Sequence, residues 1–213
     1  MRVKICGLTR SCDIEAAIRY GADALGFVVG TSSSPRNLTI NRAKKLMKQV
    51  PVFNMKVAVT SSMNLKTLRE ISNILQPDAL QLHNHNKTIV KTLRNNNPHL
   101  PLILATQIDG KSIAYAKRVS NYSDAIIADS PSNTGMGGTG RTHDWTLTAQ
   151  IRDAIYPRPL ILAGGLTPIN VRSAIRKVRP YAVDVSGGVE KTKGVKDQLK
   201  MKEFIMNAKE NHT

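Results

Sequence analysis

One pattern limits what this chain can fold into: a short, almost wholly apolar run that ends in a polar residue or a glycine, met eight times between residue 3 and residue 186. The runs are residues 3–6, 24–29, 55–59, 79–83, 102–105, 125–129, 160–163 and 182–186, at intervals of roughly 20 to 35 residues, a period that marks a repeated supersecondary unit. Three share a lead-in: Gly21-Ala22-Asp23-Ala24-Leu25, Pro77-Asp78-Ala79-Leu80 and Ser123-Asp124-Ala125-Ile126. Strands that are apolar on both faces must be covered on both faces, which points to a parallel arrangement under helices.

Helical patterns lie between the runs. Ser11 is placed to cap a helix with Asp13 and Glu15 in its first turn and Gly21 past its end. Residues 41–48, 64–75 and 111–119 carry apolar side chains at three- and four-residue spacing. Pro168 reads as the start of a helix bearing Val171, Ala174 and Ile175. A last helix covers 196–208, and Asn95-Asn96-Asn97-Pro98 reads as a turn between a helix and the fifth strand. Eight such units in 213 residues predict an α/β chain folded as one (β/α)8 TIM barrel, a single domain over 1–213. The alternative is an open doubly wound sheet, but Gly7-Leu8-Thr9 after the first strand lacks its glycine fingerprint.

Hydrophobic residues are 41% of the chain and charged residues 22%, a globular balance. No apolar run approaches the ~20 residues of a membrane span, and the N-terminus has no apolar stretch of a secretory signal. Two cysteines, Cys6 and Cys12, cannot scaffold a chain of this length, so a reduced, cytoplasmic setting is expected. Lys and Arg total 31 against 15 Asp and Glu, a net charge of +16. These cations are scattered and aromatic residues are only 4%, so the charge suits a small, multiply charged anion rather than nucleic acid.

In such a barrel the working residues sit at the C-terminal ends of the strands. The strand ends supply Cys6, His83, Asp129, Gly164-Gly165 and Ser186-Gly187-Gly188. Alternation along a strand puts Lys4 with Cys6, Gln81 with His83, Ile127 with Asp129 and Asp184 with Ser186. Glycine pairs after strands seven and eight let backbone N–H groups approach an anion, so a phosphate site is expected there. The glycines of residues 135–140, after strand six, are expected to fold over a ligand. Cys6 as thiolate base and Asp129 as carboxylic acid form a candidate proton-transfer pair. Taken singly, Cys6 also reads as a small core residue and Asp129 as a cap. Arg36 could fork onto a carboxylate. His83 and His85 lack the further ligands of a metal site, and no metal or cofactor is expected.

Six ordered motifs now carry a resemblance: Lys4-Ile5-Cys6-Gly7-Leu8-Thr9, Gly21-Ala22-Asp23-Ala24-Leu25-Gly26-Phe27, Gln81-Leu82-His83, Gly137-Gly138-Thr139-Gly140-Arg141-Thr142-His143-Asp144-Trp145, Ala163-Gly164-Gly165-Leu166-Thr167-Pro168-Ile169-Asn170-Val171 and Val183-Asp184-Val185-Ser186-Gly187-Gly188-Val189-Glu190. Together, from residue 2 to about residue 208, they resemble the phosphoribosylanthranilate isomerase family. The resemblance implies a single barrel that performs a cofactor-free Amadori rearrangement of a small phosphorylated substrate in tryptophan biosynthesis, as a monomer or homodimer. It implies Asp129 as general acid, Cys6 as general base and Arg36 for the anthranilate carboxylate. Gln81, His83 and Asp184 are implied as further substrate contacts, and Gly164, Gly165, Ser186, Gly187 and Gly188 as the phosphate site. The sequence departs from the family at Asn84, usually glycine, at Ser186-Gly187-Gly188, usually Ser-Ser-Gly, and at Ser130-Pro131-Ser132-Asn133. A sister reading, indole-glycerol-phosphate synthase, has an N-terminal extension before its barrel, whereas this chain begins in strand one.

Overall fold

The structure is a computed structural model that describes residues 1–108, 111–130 and 143–210. Eight parallel strands close into a barrel in chain order, β1 meeting β8. They are β1 (Arg2–Ile5), β2 (Ala24–Val28), β3 (Met55–Thr60), β4 (Ala79–Leu82), β5 (Leu102–Gln107), β6 (Ala125–Asp129), β7 (Leu160–Leu162) and β8 (Ala182–Val185). The outer layer is α1 (Ser11–Arg19), α2 (Ile40–Met47), α3 (Leu65–Leu75), α4 (Lys87–Asn96), α5 (Ser112–Ser120), α6 (Trp145–Ile155), α7 (Val171–Val178) and α8 (Gln198–Lys209). A small antiparallel hairpin, β9 (Glu190–Thr192) with β10 (Val195–Lys196), follows β8.

The alternation read from the sequence separates two cores. Val28, Val57, Val59, Ile103, Ala105, Ile127, Ile161 and Ala163 form one apolar cluster inside the barrel. Ile5, Leu25, Phe27, Leu80, Leu104, Ile126 and Leu162 face outward and join a second cluster with the helices, including Ile14, Leu46, Ile71, Ile151 and Phe204. Continuous apolar strands are thus explained by two covered faces.

The shared lead-ins have a mechanical role. Asp23, Asp78 and Asp124 stand just before β2, β4 and β6. Their carboxylates accept from the backbone N–H of Val3, Lys56 and Leu102 at 2.8, 2.7 and 2.8 Å. In return their own N–H groups donate to the carbonyls of the same three residues at 2.8, 2.9 and 2.9 Å. Each aspartate therefore clasps the start of its strand to the strand before it, so the repeat is a two-strand unit. Before β8 the position is Tyr181, which keeps the backbone bond to Leu160 at 2.9 Å and lies under the Arg2 guanidinium.

Local details depart from expectation in four places. Ser11 is the first helical residue rather than the cap, which falls to Arg10 without a side-chain cap bond, and only Asp13 of the two acids lies in the first turn. Pro168 lies in the turn ahead of α7, whose cap is Asn170; the Asn170 carboxamide accepts from Thr167 N–H and donates to the Gly165 carbonyl, closing that turn. Asn95 and Asn96 belong to α4, which has only Ile89, Val90 and Leu93 buried but is capped by the Asn86 side chain. The hairpin β9–β10 and helix α6, capped by Asp144, were not expected from the periodicity. The glycines of residues 135–140 lie outside the described residues.

Candidate active site

A cleft of about 370 Å³ opens at the C-terminal mouth of the barrel. Cys6, Arg36, His83, Asp129, Gly164, Gly165, Asp184, Ser186, Gly187 and Gly188 all line it. The C-terminal ends of six strands, or the loops that follow them, thus converge on one space, as the strand-end rule requires. Gln81 does not line the cleft. It is 1% exposed and reaches the mouth through His83, Nε2 to Nε2 at 3.1 Å.

Cys6 immediately follows β1, with its thiol turned to the barrel interior. Gly26 on β2 makes the space for it: a Cβ there would stand 2.9 Å from Cys6 Sγ and 3.2 Å from Lys4 Cε. Two residues back on the same face, Lys4 Nζ donates to Asp184 Oδ1 at 2.8 Å. The two residues are register partners across the β1–β8 closure. Such a pair withstands burial because each charge has its counter-ion at hydrogen-bond distance.

Burial pushes the Cys6 thiol up, while the neighbouring Lys4 ammonium and, less strongly, Lys196 favour the thiolate. Asp129, at the end of β6, is pushed up from 3.8 to about 6, first by burial and then by the Asp184 carboxylate. The Ser130 N–H, 2.8 Å from Oδ1, partly offsets that rise. His83 is pushed down to about 4 by burial and then by Lys4, so it stands neutral at neutral pH.

Two glycines of the cleft wall could take a side chain only if their neighbours moved. Gly164 has φ +79°, and a Cβ there would meet Ser130 N at 2.4 Å. A Cβ on Gly188 would lie 1.9 Å from the Leu166 carbonyl oxygen. Gly187 opens a short 3-10 turn, Gly187–Val189, whose first N–H groups have no partner within the turn and suit an anion. Thr167, Lys191, Thr192 and Lys193 complete this wall. The sequence reading missed these four; two lysines and a threonine three to five residues past the second glycine pair were the available signal.

Arg36 is at the cleft, but its fork is already engaged. Nε and Nη2 donate to the two oxygens of Glu190, both at 2.7 Å. Lys196 Nζ, fully buried, donates to the same carboxylate at 3.0 Å and to the Ser186 carbonyl at 3.1 Å. Glu190 therefore ties the loop after β2 to the hairpin after β8. His85 Nε2 lies 3.0 Å from the Ala105 carbonyl oxygen. Among the described residues no group of three or more His, Cys, Asp or Glu could hold a metal ion.

Fold and cleft define a class: a (β/α)8-barrel enzyme whose mouth joins a glycine-lined wall to two titratable groups that burial pushes towards their neutral forms. Comparison with known proteins narrows it. The family model described as N-(5'phosphoribosyl)anthranilate (PRA) isomerase matches residues 3–207. The N-(5'-phosphoribosyl)anthranilate isomerase of Methanothrix thermoacetophila is 42% identical over 205 residues, covering 96% of each chain. That of Pseudomonas fluorescens is 41% identical over 206 residues, covering 96% of this chain and 97% of its own. Among solved structures, the Thermotoga maritima phosphoribosyl anthranilate isomerase superposes with TM-score 0.87 at 36% identity, covering 98% of both chains. An isomerase of this kind in complex with reduced 1-(o-carboxyphenylamino)-1-deoxyribulose 5-phosphate has TM-score 0.84 at 34% identity, again over 98% of both. The chain belongs to the N-(5'-phosphoribosyl)anthranilate isomerase family.

Proposed function

We propose that this chain, working as one domain over 1–213, isomerises N-(5-phosphoribosyl)anthranilate to 1-(2-carboxyphenylamino)-1-deoxyribulose 5-phosphate in tryptophan biosynthesis. The observation that carries the residue roles is the placement of Cys6 and Asp129 in one cleft with the cradle Gly164, Gly165, Ser186, Gly187 and Gly188. The phosphate is held by backbone N–H groups of the cradle, with Lys191 and Lys193 on its wall. Arg36 receives the anthranilate carboxylate on the part of its guanidinium that Glu190 leaves free, or exchanges Glu190 for it. Asp184 and His83 meet the ribose, and Gln81 acts indirectly by fixing the His83 ring.

Asp129 gives its proton to the ribose ring oxygen as the C1′–O bond breaks, and the anthranilate nitrogen lone pair forms the C=N bond of a protonated Schiff base. The Cys6 thiolate then takes the proton from C2′. The C–H electron pair becomes the C1′=C2′ bond, the C=N pair returns to nitrogen, and the product is an enolamine. Tautomerisation moves a proton onto C1′ and releases the one on the C2′ oxygen, leaving the ketone. An acid raised to about 6 suits the first step, since a carboxyl near its operating pH is an effective donor.

The test is loss of substrate fluorescence with freshly generated phosphoribosylanthranilate. Rapid loss is expected with the wild-type chain, and only the spontaneous rate with Cys6→Ala or Asp129→Ala. Full activity in either variant would overturn the assigned role. The expected setting is cytoplasmic, and among the described residues no helix is long and apolar enough to cross a membrane. The chain acts as a monomer or a homodimer; the Thermotoga maritima isomerase is a dimer from which monomers have been obtained.

A further inference from the structure

The roles assigned to Cys6 and Asp129 set a problem that the cleft itself raises. Rearrangement needs a thiolate and a carboxylic acid at the same time. Burial favours the opposite pairing, a neutral thiol, and a carboxyl raised only to about 6 is largely ionised at neutral pH. The competent pairing is therefore the minority form, and whatever raises its population raises the rate.

Beneath the cleft one pair of side chains is poised to do this. Lys4 and Asp184 project inward from adjacent positions of β1 and β8 and meet at 2.8 Å. Both are almost completely buried, at 3% and 7% exposure, so their fields are little screened by solvent. The pair is also oriented. A single Cβ built on Gly26 would touch both Cys6 Sγ and Lys4 Cε, so the cationic arm runs alongside the thiol. Cys6 responds more strongly to Lys4 than to Asp184, whereas Asp129 responds more strongly to Asp184 than to Lys4. The cationic end is thus turned to the base and the anionic end to the acid.

We propose that the Lys4–Asp184 ion pair is a positioning element that acts as a fixed dipole, with Lys4 stabilising the thiolate of Cys6 and Asp184 stabilising the protonated form of Asp129. The inference rests on the roles given to Cys6 and Asp129 above. Other charges face the same groups. Lys196 from β10 and Arg36 from the loop after β2 face Cys6, but both are bound to Glu190. His83, just past β4, faces the pair and is kept neutral by burial and then by Lys4, with Asp184 opposing. Lys4 and Asp184 differ from these in being paired with each other, the cation weighing more on Cys6 and the carboxylate more on Asp129.

The experiment uses the full chain with Cys12→Ser, so that Cys6 is the single thiol. Two quantities are read: the pH midpoint of Cys6 alkylation by iodoacetamide, and the pH profile of kcat/KM. The double variant Lys4→Met/Asp184→Asn removes the dipole without leaving a buried charge unpaired. It should raise the Cys6 midpoint by about one pH unit and lower the acid limb belonging to Asp129 by a similar amount. With the two limbs moved apart, the kcat/KM plateau should fall roughly a hundredfold, tenfold for each unit. Asp184→Asn alone leaves Lys4 uncompensated beside the thiol and should move the Cys6 midpoint below the wild-type value. Lys4→Arg keeps the cation and should keep the midpoint.

Unmoved midpoints and limbs in the double variant would overturn the proposal, whatever happens to the plateau, because a packing role alters rate without altering titration. Should the double variant not fold, Asp184→Asn decides by the direction of its midpoint, and a rise or no change overturns the proposal. Alkylation is read without substrate. A proposal that fails here is therefore distinguishable from a failure of the catalytic assignment, which Cys6→Ala and Asp129→Ala test by turnover.

Discussion

Strand β6 carries an aspartate at each end, and the two show opposite uses of the same side chain. Asp124, just before the strand, accepts from Leu102 N–H at 2.8 Å and from Arg94 at 2.6 Å, with its side chain 43% exposed. Asp129, at the other end, is half-buried in the field of the Asp184 carboxylate, and the bond from Ser130 N–H does not cancel the cost of keeping it ionised. The first carboxylate is satisfied and solvated and holds the barrel together. The second is held where ionisation is unfavourable, which keeps on it the proton that the proposed mechanism has it donate. The barrel therefore separates stability at its N-terminal rim from chemistry at its C-terminal mouth.

The largest test of this contrast is catalytic. Asp129→Asn should lower kcat by about two to four orders of magnitude, the usual contribution of a positioned general acid, while Asp124→Asn should leave kcat unchanged. A comparable loss in both variants, measured by substrate fluorescence, would erase the distinction.

Stability should respond in the opposite sense. Asp129 has a folded pKa raised from 3.8 to about 6, so between these values the folded chain holds the proton more tightly than the unfolded chain. Its contribution is fully present below about pH 3.8 and is lost as pH rises through about 6. At 1.36 kcal/mol per unit, the ionised group costs up to about 3 kcal/mol at pH 8. Asp129→Asn should therefore unfold at higher urea than the wild type at pH 8, and the gap should close by pH 4. A variant that is less stable at pH 8 would show that Asp129 is a structural residue after all.

How far the sequence discloses this arrangement depends on the range of the interaction. Strand positions, inward parity and the strand-end location of Cys6 and Asp129 follow from a two-residue alternation, which is local. The clasp aspartates were visible as a repeated lead-in, although their backbone partners were not. Lys4 with Asp184 and Arg36 with Glu190 depend on β1 and the loop after β2 meeting β8 and its hairpin when the barrel closes. No local pattern marks such pairs, so Lys4 was read only as the neighbour of Cys6, and Arg36 was assigned a fork that Glu190 already occupies. Helix α4 is expected ahead of the Asn95-Asn96-Asn97-Pro98 turn, but its bounds were not drawn: three buried residues in ten make a narrow stripe, and its start is marked by the Asn86 cap.

At the N-terminal rim, Asp124→Ala should cost about 1–3 kcal/mol, since it strips a hydrogen-bonded acceptor from the N–H of Leu102 and a charge partner from Arg94. The loss should appear in the urea midpoint, with kcat/KM unaltered. Asp78→Ala should lose less, because its cationic partner Lys56 stands at 3.6 Å rather than the 2.6 Å of Arg94. Equal losses would mean that the backbone bond, common to both, supplies all of the effect.

The smallest expected change comes from completing the pattern. Three of the four strand pairs carry the aspartate clasp, and the pair β7–β8 has Tyr181 in its place with the same backbone bond to Leu160. Tyr181→Asp would offer a carboxylate to the Leu160 N–H, as Asp124 does to that of Leu102, and would give up the stacking of Arg2 on the ring at 4.4 Å. A net hydrogen bond of about 0.5–1.5 kcal/mol is set against a cation–π contact of about 0.5–1 kcal/mol at an exposed site. The released Arg2 guanidinium remains near enough to pair with the new carboxylate, so a slight net stabilisation is expected, with catalysis untouched. A clear destabilisation would show that the fourth unit is closed by the aromatic contact, and that the rim is built from two kinds of clasp rather than from three copies of one and a gap.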